Sequence, residues 1–452
     1  MDGRADAVVL FGVTGDLAAK KLIPALYELT RRGRLDMPVI GVARSAWDHE
    51  QLVRTVRKAV TEAVDVVDED AFGALASRLT MISGSYGSPA TYAQVSAALG
   101  PARRPLFYLA IPPAVFPDVV GGLTGSGLAA RGRVIVEKPF GHDLASATAL
   151  AVTLRGAFDP ERIFRIDHYL GKEAVEGITA VRFGNRLLEP VWSREHIDNV
   201  QITLAEEFGT QGRAGFYDRS GAVRDVLQNH VLQVAALLAM EPGGKAEELH
   251  VLRRMRPLTP AATVFGQYAG YADEPGVAPV STTETFVAST LRIDTRRWAG
   301  VPFHLRAGKH LGATATEVVV TLRPATSALP GAAPNLLRLR LGRGDGLGLT
   351  INVKEPGGTV AARPVPLDVD FGSVLGPRRE AYERLIDDAL DGRQDRFASE
   401  ETILEEWRIV APVLDGSVLP RPYERGSWGP ETAGTRPTGG WHPLSGQVRQ
   451  RD

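Results

Sequence analysis

The chain contains no cysteine. That excludes disulfides, thiolate nucleophiles, iron–sulfur clusters and Cys-ligated zinc. Histidine is scarce, nine in 452 residues, and none stands in an H-E-x-x-H or comparable ligand spacing, so no metal is assigned. No apolar run is long: Val231 to Met240 falls far short of the roughly 20 residues a bilayer demands. Charge of one sign is not in excess. Lys plus Arg number 52 and Asp plus Glu 53, a net charge of -1, which leaves no global footprint for nucleic acid or a membrane surface. The first residues lead straight into an apolar strand, without the basic start and apolar core of a secretory leader. The expectation is a cytoplasmic protein.

What is present is ordinary for a soluble globular chain, 44% hydrophobic and 23% charged. The length exceeds what one core supports, so two domains are expected. Residues 7–170 alternate short apolar runs with helical patterns. Ala7 to Phe11 reads as a strand buried on both faces, Ala18 to Arg31 as a helix with Leu22, Leu26 and Leu29 on one face, and Pro38 to Ala43 as a second strand. This is the pattern of a Rossmann-type doubly wound parallel sheet, placed at residues 1–176. Beyond it the strands lengthen and alternate in polarity, as in Asn199 to Ala205, Thr285 to Ile293, Glu317 to Leu322 and Leu337 to Leu341. Gly344-Asp345-Gly346 marks a hairpin into Leu347 to Val353. Residues 177–452 are therefore expected to form an α+β domain on a large, mainly antiparallel sheet. Its clearest helices are expected at Val226 to Met240 and Arg379 to Leu390. The stretch from about Gly416 on, rich in Pro, Gly and Arg, reads as irregular.

Five segments carry candidate chemistry. Gly12-Val13-Thr14-Gly15-Asp16-Leu17 joins a strand to a helix, where glycines let backbone N–H groups approach a pyrophosphate at the helix N-terminus. An ordinary glycine turn reads the same way. The second strand ends in Arg44 rather than an acidic residue. That suits the 2′-phosphate of NADP, though a solvated arginine is the plain alternative. Lys138, in Glu137-Lys138-Pro139-Phe140-Gly141, follows a strand's carboxyl end, the edge at which such sheets bind ligands, and a surface loop lysine is the plain alternative. In Arg165 through Glu173, His168, Tyr169 and Lys172 are donors suited to a phosphate, with a solvated polar loop as the plain alternative. Asp167 is not, and reads as orienting another group. Finally, Asp225 and His230 stand about one and a half α-helical turns apart. His230 enters an apolar helix, where a satisfied core histidine competes with a general base.

Together these segments, with Glu206 to Gly212, Ser281-Thr282-Thr283, Val301 through Lys309 and Glu406-Trp407-Arg408-Ile409, resemble the glucose-6-phosphate dehydrogenase family over about residues 7–430. The resemblance implies oxidation of C1 of D-glucose 6-phosphate to the 6-phospho-lactone with NADP, or also NAD, as hydride acceptor. It implies His230 as base and Asp167 as its carboxylate partner. It implies His168, Tyr169 and Lys172 as phosphate binders, and Lys138, Glu206, Asp225, Lys309 and Lys21 as sugar contacts. Gly12, Thr14, Gly15, Asp16, Leu17, Arg44 and Lys138 would hold the cofactor, and the chain would form a homodimer or homotetramer. Two departures stand out. Thr14 replaces a common serine, and Leu311 to Thr316 lacks a cation often found past Lys309. The bare stretch keeps open a paralogue acting on another hexose phosphate. A non-catalytic nucleotide-binding regulator is the third reading. The short tail gives little support for a second, structural NADP site.

Overall fold

A computed structural model of the chain describes residues 3–326, 329–342, 344–434 and 437–445. Two compact units emerge. The first runs to Glu173 and takes in Arg379–Glu400; the second comprises Ala174–Arg378 and the residues from Glu401 on.

The first unit is built on a six-stranded parallel sheet ordered β3-β2-β1-β4-β5-β6. Its strands are Ala7–Phe11 (β1), Val39–Ala43 (β2), Leu79–Ser83 (β3), Pro105–Leu109 (β4), Arg133–Glu137 (β5) and Ile163–Ile166 (β6). The continuous apolar run of β1 is wholly buried because both faces are covered. Val8 and Leu10 join a core with Leu22, Leu26 and Leu29, while Ala7, Val9 and Phe11 pack with Tyr92, Val95 and Phe116. The period of two along a strand makes this division.

The helix Ala381–Asp391 belongs to this first unit, although the sequence reading placed it with the second domain. Leu385, Ile386, Ala389 and Leu390 join the same core as Leu22 and Leu26. Fully burying each of the larger three contributes about 1.5–3 kcal/mol. Local pattern shows that this helix has an apolar face, but not which sheet the face will cover.

The second unit holds a nine-stranded sheet ordered β14-β13-β12-β11-β7-β10-β9-β8-β15. Its strands are Ile197–Ala205 (β7), Thr263–Tyr268 (β8), Phe286–Leu291 (β9), Phe303–Gly308 (β10), Ala315–Leu322 (β11), Leu336–Arg340 (β12), Gly346–Lys354 (β13), Ala362–Asp370 (β14) and Arg421–Tyr423 (β15). The pairs β7–β10 and β8–β15 are parallel and the others antiparallel.

The tail is more ordered than its composition suggests. It supplies β15 and a short helix, Glu431–Gly434. Residues 437–445 reach a polar face of the sheet. The His442 N–H donates to Gln201 Oε1 at 2.9 Å. The Arg306 guanidinium lies 4.8 Å from the Trp428 ring and 4.3 Å from Trp441. Cation–π contact and satisfied strand polar groups hold this segment where local propensity would not.

Candidate active site

The glycine loop leaves β1 with Gly12 at φ +86°. A Cβ there would stand 2.2 Å from the Ala110 carbonyl oxygen, so the turn admits only glycine. The Gly15 N–H donates to the Gly12 carbonyl at 3.0 Å. Ala18, fully buried, lets the following helix pack closely on the sheet. That helix begins as a π-turn, Ala18–Leu22, before continuing as Ile23–Arg31. Thr14 Oγ1 lies 3.4 Å from Ser45 Oγ beyond β2, which brings the loop beside Arg44. Asp16 and Arg44 are exposed. Tyr86 lies close by, and the Arg44 charge partly offsets the upward push of burial on its phenol. This cradle fits a dinucleotide phosphate, with Arg44 reachable at its rim.

At the carboxyl ends of β5 and β6 the substrate candidates of the first unit converge. Glu137 pairs in register with Ile166, so Lys138 and Asp167 leave neighbouring strands side by side. Asp167 is buried, and its Oδ1 accepts the Tyr169 N–H at 2.9 Å. Lys172 Nζ stands 3.6 Å from the centre of the Tyr169 ring. Burial pushes the Lys172 ammonium down to about 8, opposed by Asp167 and Glu380 and reinforced by Lys138 and Lys21. Lys21, Lys138 and Lys172 thus bear on one place beside His168, a cationic set suited to a dianion. The loop is braced from behind: the Arg384 guanidinium donates to the Gly171 carbonyl at 2.7 Å.

In the second unit Glu206 follows β7 and Lys309 follows β10, parallel neighbours in register at Ala205 and Gly308. Lys309 Nζ donates to Glu206 Oε2 at 2.5 Å. The ammonium also stands 5.0 Å from the Tyr217 ring. Burial, then Asp225, raise the Tyr217 phenol well above its ordinary value, which places Asp225 in the same neighbourhood. His230 is 3% exposed. The helix carrying Asp225 and His230 is a π-helix, Val223–Val231, that continues as the α-helix Leu232–Ala239. Five residues therefore make about one turn, not one and a half, because bonds run i→i+5. Glu284 accepts the Val223 N–H at 3.0 Å and so caps the start of this helix.

Sequence reading missed Tyr108, Tyr382, Arg384, Tyr217 and Glu284. Glu137 stood in a quoted motif without a role. Glu137 was visible as a carboxylate ending an apolar strand. Tyr382 and Arg384 had no local signal, since they reach the Asp167 loop from over 200 residues away.

Comparisons with known proteins place the chain in a family. The family descriptions "Glucose-6-phosphate dehydrogenase, NAD binding domain" and "Glucose-6-phosphate dehydrogenase, C-terminal domain" match residues 9–177 and 179–437. The chain is 44% identical over 443 residues to glucose-6-phosphate 1-dehydrogenase 1 of Mycobacterium bovis, covering 95% of this chain and 94% of that protein. It is 38% identical to glucose-6-phosphate 1-dehydrogenase of Bacillus subtilis, covering 94% and 95%. A crystal structure of glucose-6-phosphate 1-dehydrogenase from Mycobacterium avium superposes with TM-score 0.91 at 42% identity, over 98% of this chain and 99% of that one. A glucose-6-phosphate dehydrogenase in complex with its substrate glucose-6-phosphate gives 0.89 at 34%, over 95% and 97%. The chain belongs to the glucose-6-phosphate dehydrogenase family.

Proposed function

We propose that the protein oxidises C1 of D-glucose 6-phosphate to 6-phospho-D-glucono-1,5-lactone, the first oxidative step of the pentose phosphate pathway, with NADP as acceptor. The observation that carries this reading is the cationic set of Lys21, Lys138 and Lys172 beside His168 and Asp167, in a chain of this family. Bound NADP supplies the hydride acceptor; the glycine loop would hold its pyrophosphate and Arg44 its 2′-phosphate. The remaining chemistry belongs to the protein. His230 takes the proton of the 1-hydroxyl, and Asp167 serves as the carboxylate that favours the resulting imidazolium. His168, Tyr169 and Lys172 hold the phosphate. Glu206, Asp225, Lys309 and Lys138 hold the sugar.

The absence of Lys or Arg from Leu311 to Thr316 favours a second reading, a different hexose phosphate. A panel of hexose phosphates decides between them: glucose 6-phosphate should give the highest kcat/KM, and a better substrate elsewhere in the panel would replace it. No helix among the described residues is long and apolar enough to cross a membrane, which accords with a cytoplasmic setting. A homodimer, or a homotetramer built from two such dimers, is supported by the edge of the large sheet. There Ile351, Val353, Leu367 and Val369 are each between 38% and 50% exposed, an apolar stripe on an edge that invites a partner.

A further inference from the structure

β5 ends in a carboxyl group that the mechanism above does not use. Glu137 is buried, and its Oε1 accepts the Tyr108 hydroxyl of β4 at 2.6 Å. The Tyr382 hydroxyl, from the helix Ala381–Asp391, donates to the same carboxyl. The Tyr382 ring lies parallel to the His168 imidazole, their centres 6.3 Å apart and their planes within 9°. The residue after Glu137 is Lys138. One buried carboxyl therefore connects, through a single covalent step and a single phenol, two of the groups read as substrate contacts.

We propose that Glu137 is a positioning residue: clamped between Tyr108 and Tyr382, its ionised form holds Lys138 and the His168 loop in the arrangement that receives the sugar phosphate. This rests on the reading of Lys138 and His168 as substrate contacts. An ionised carboxylate accepts from both phenols at once and attracts the Lys138 ammonium. A protonated one donates its own proton, so one phenol loses its acceptor and Lys138 loses its counter-charge. The charged and titratable groups facing Glu137 are Tyr108 from β4, Tyr382 from the helix, Lys138 beside it and Asp167 at the end of β6. Burial dominates and, with Asp167, pushes the carboxyl up to about 7, while the phenols and Lys138 pull it back. The switch between the two forms thus falls within the working range of an assay.

Glu137→Gln tests this, because glutamine has the shape of the protonated acid and cannot ionise. The KM for glucose 6-phosphate is measured with NADP across pH for both full-length chains. Titrations of Lys172 and of the substrate phosphate are common to both and cancel in the ratio. The ratio of the variant KM to the wild-type KM should start near one at about pH 6 and rise through neutrality to about tenfold at about pH 8.5, with kcat changed by less than about threefold. A ratio that stays at one, or one raised equally at every pH, overturns the proposal, the latter being the signature of a merely structural defect. Absence of turnover in the wild-type chain would instead overturn the reading on which it rests. Should Glu137→Gln not fold, Tyr382→Phe carries the test. It keeps the carboxyl but removes one donor, so the break in its KM profile must move to higher pH than in wild type. An unmoved break overturns the proposal.

Discussion

In the proposed reaction His230 is the base on which the chemistry turns. His230→Asn should lower kcat by about 10²-fold or more, since a general base contributes about 10²–10⁴, with KM changed less. Steady-state kinetics check this, and an unchanged kcat would remove the base role. Lys172→Ala should raise KM for glucose 6-phosphate by about tenfold or more through loss of a charge-assisted contact. The same group predicts a pH dependence. Its ammonium is pushed down to about 8, so the cation is present below that pH and lost above it. Wild-type KM should therefore climb on the alkaline side of about 8, and the climb should vanish in Lys172→Ala. Arg44→Ala should weaken NADP by about tenfold and NAD far less; equal loss in cofactor titrations would refute the 2′-phosphate assignment.

At the scale of elements, legibility tracked locality. The strand–glycine loop–helix unit at Ala7 to Arg31 is contiguous, so its apolar run and Gly12 announced it. The Asp167–Lys172 segment is likewise contiguous, so its residue types could be singled out from the sequence alone. What brackets it was not: the helix Ala381–Asp391 docks on the first unit through Leu385 and Leu390, a choice made by tertiary packing. The π-helix at Val223–Val231 was also hidden, because local composition does not distinguish i→i+5 from i→i+4 bonding. Gly171 probes the docking directly. A Cβ there would stand 2.7 Å from Leu385 Cδ1 and 3.0 Å from the Ala381 carbonyl oxygen. Gly171→Ala should destabilise the fold by about 1–3 kcal/mol and raise KM for glucose 6-phosphate with it. Calorimetry and kinetics together check this, and a variant with wild-type Tm and KM would show that the loop does not depend on the helix.

For the whole molecule, the two sheets and their strand classes were visible in the change of texture near residue 176, from buried runs to alternating strands. The order of the nine strands was not, nor the parallel pairings of β7 with β10 and β8 with β15. These depend on chain segments up to about 150 residues apart, beyond the reach of any local period. The exposed stripe on β13 and β14 carries the assembly prediction. Leu367→Asp with Val369→Asp should convert the protein to single chains by light scattering. An unchanged mass would place the interface elsewhere.

Turnover of glucose 6-phosphate underlies the kinetic predictions above. The most direct measurement is the absorbance of reduced nicotinamide when the purified protein is mixed with glucose 6-phosphate and, separately, NADP or NAD. The account predicts a rise with glucose 6-phosphate, faster with NADP, and nearly absent in His230→Asn. No rise with either cofactor would contradict it.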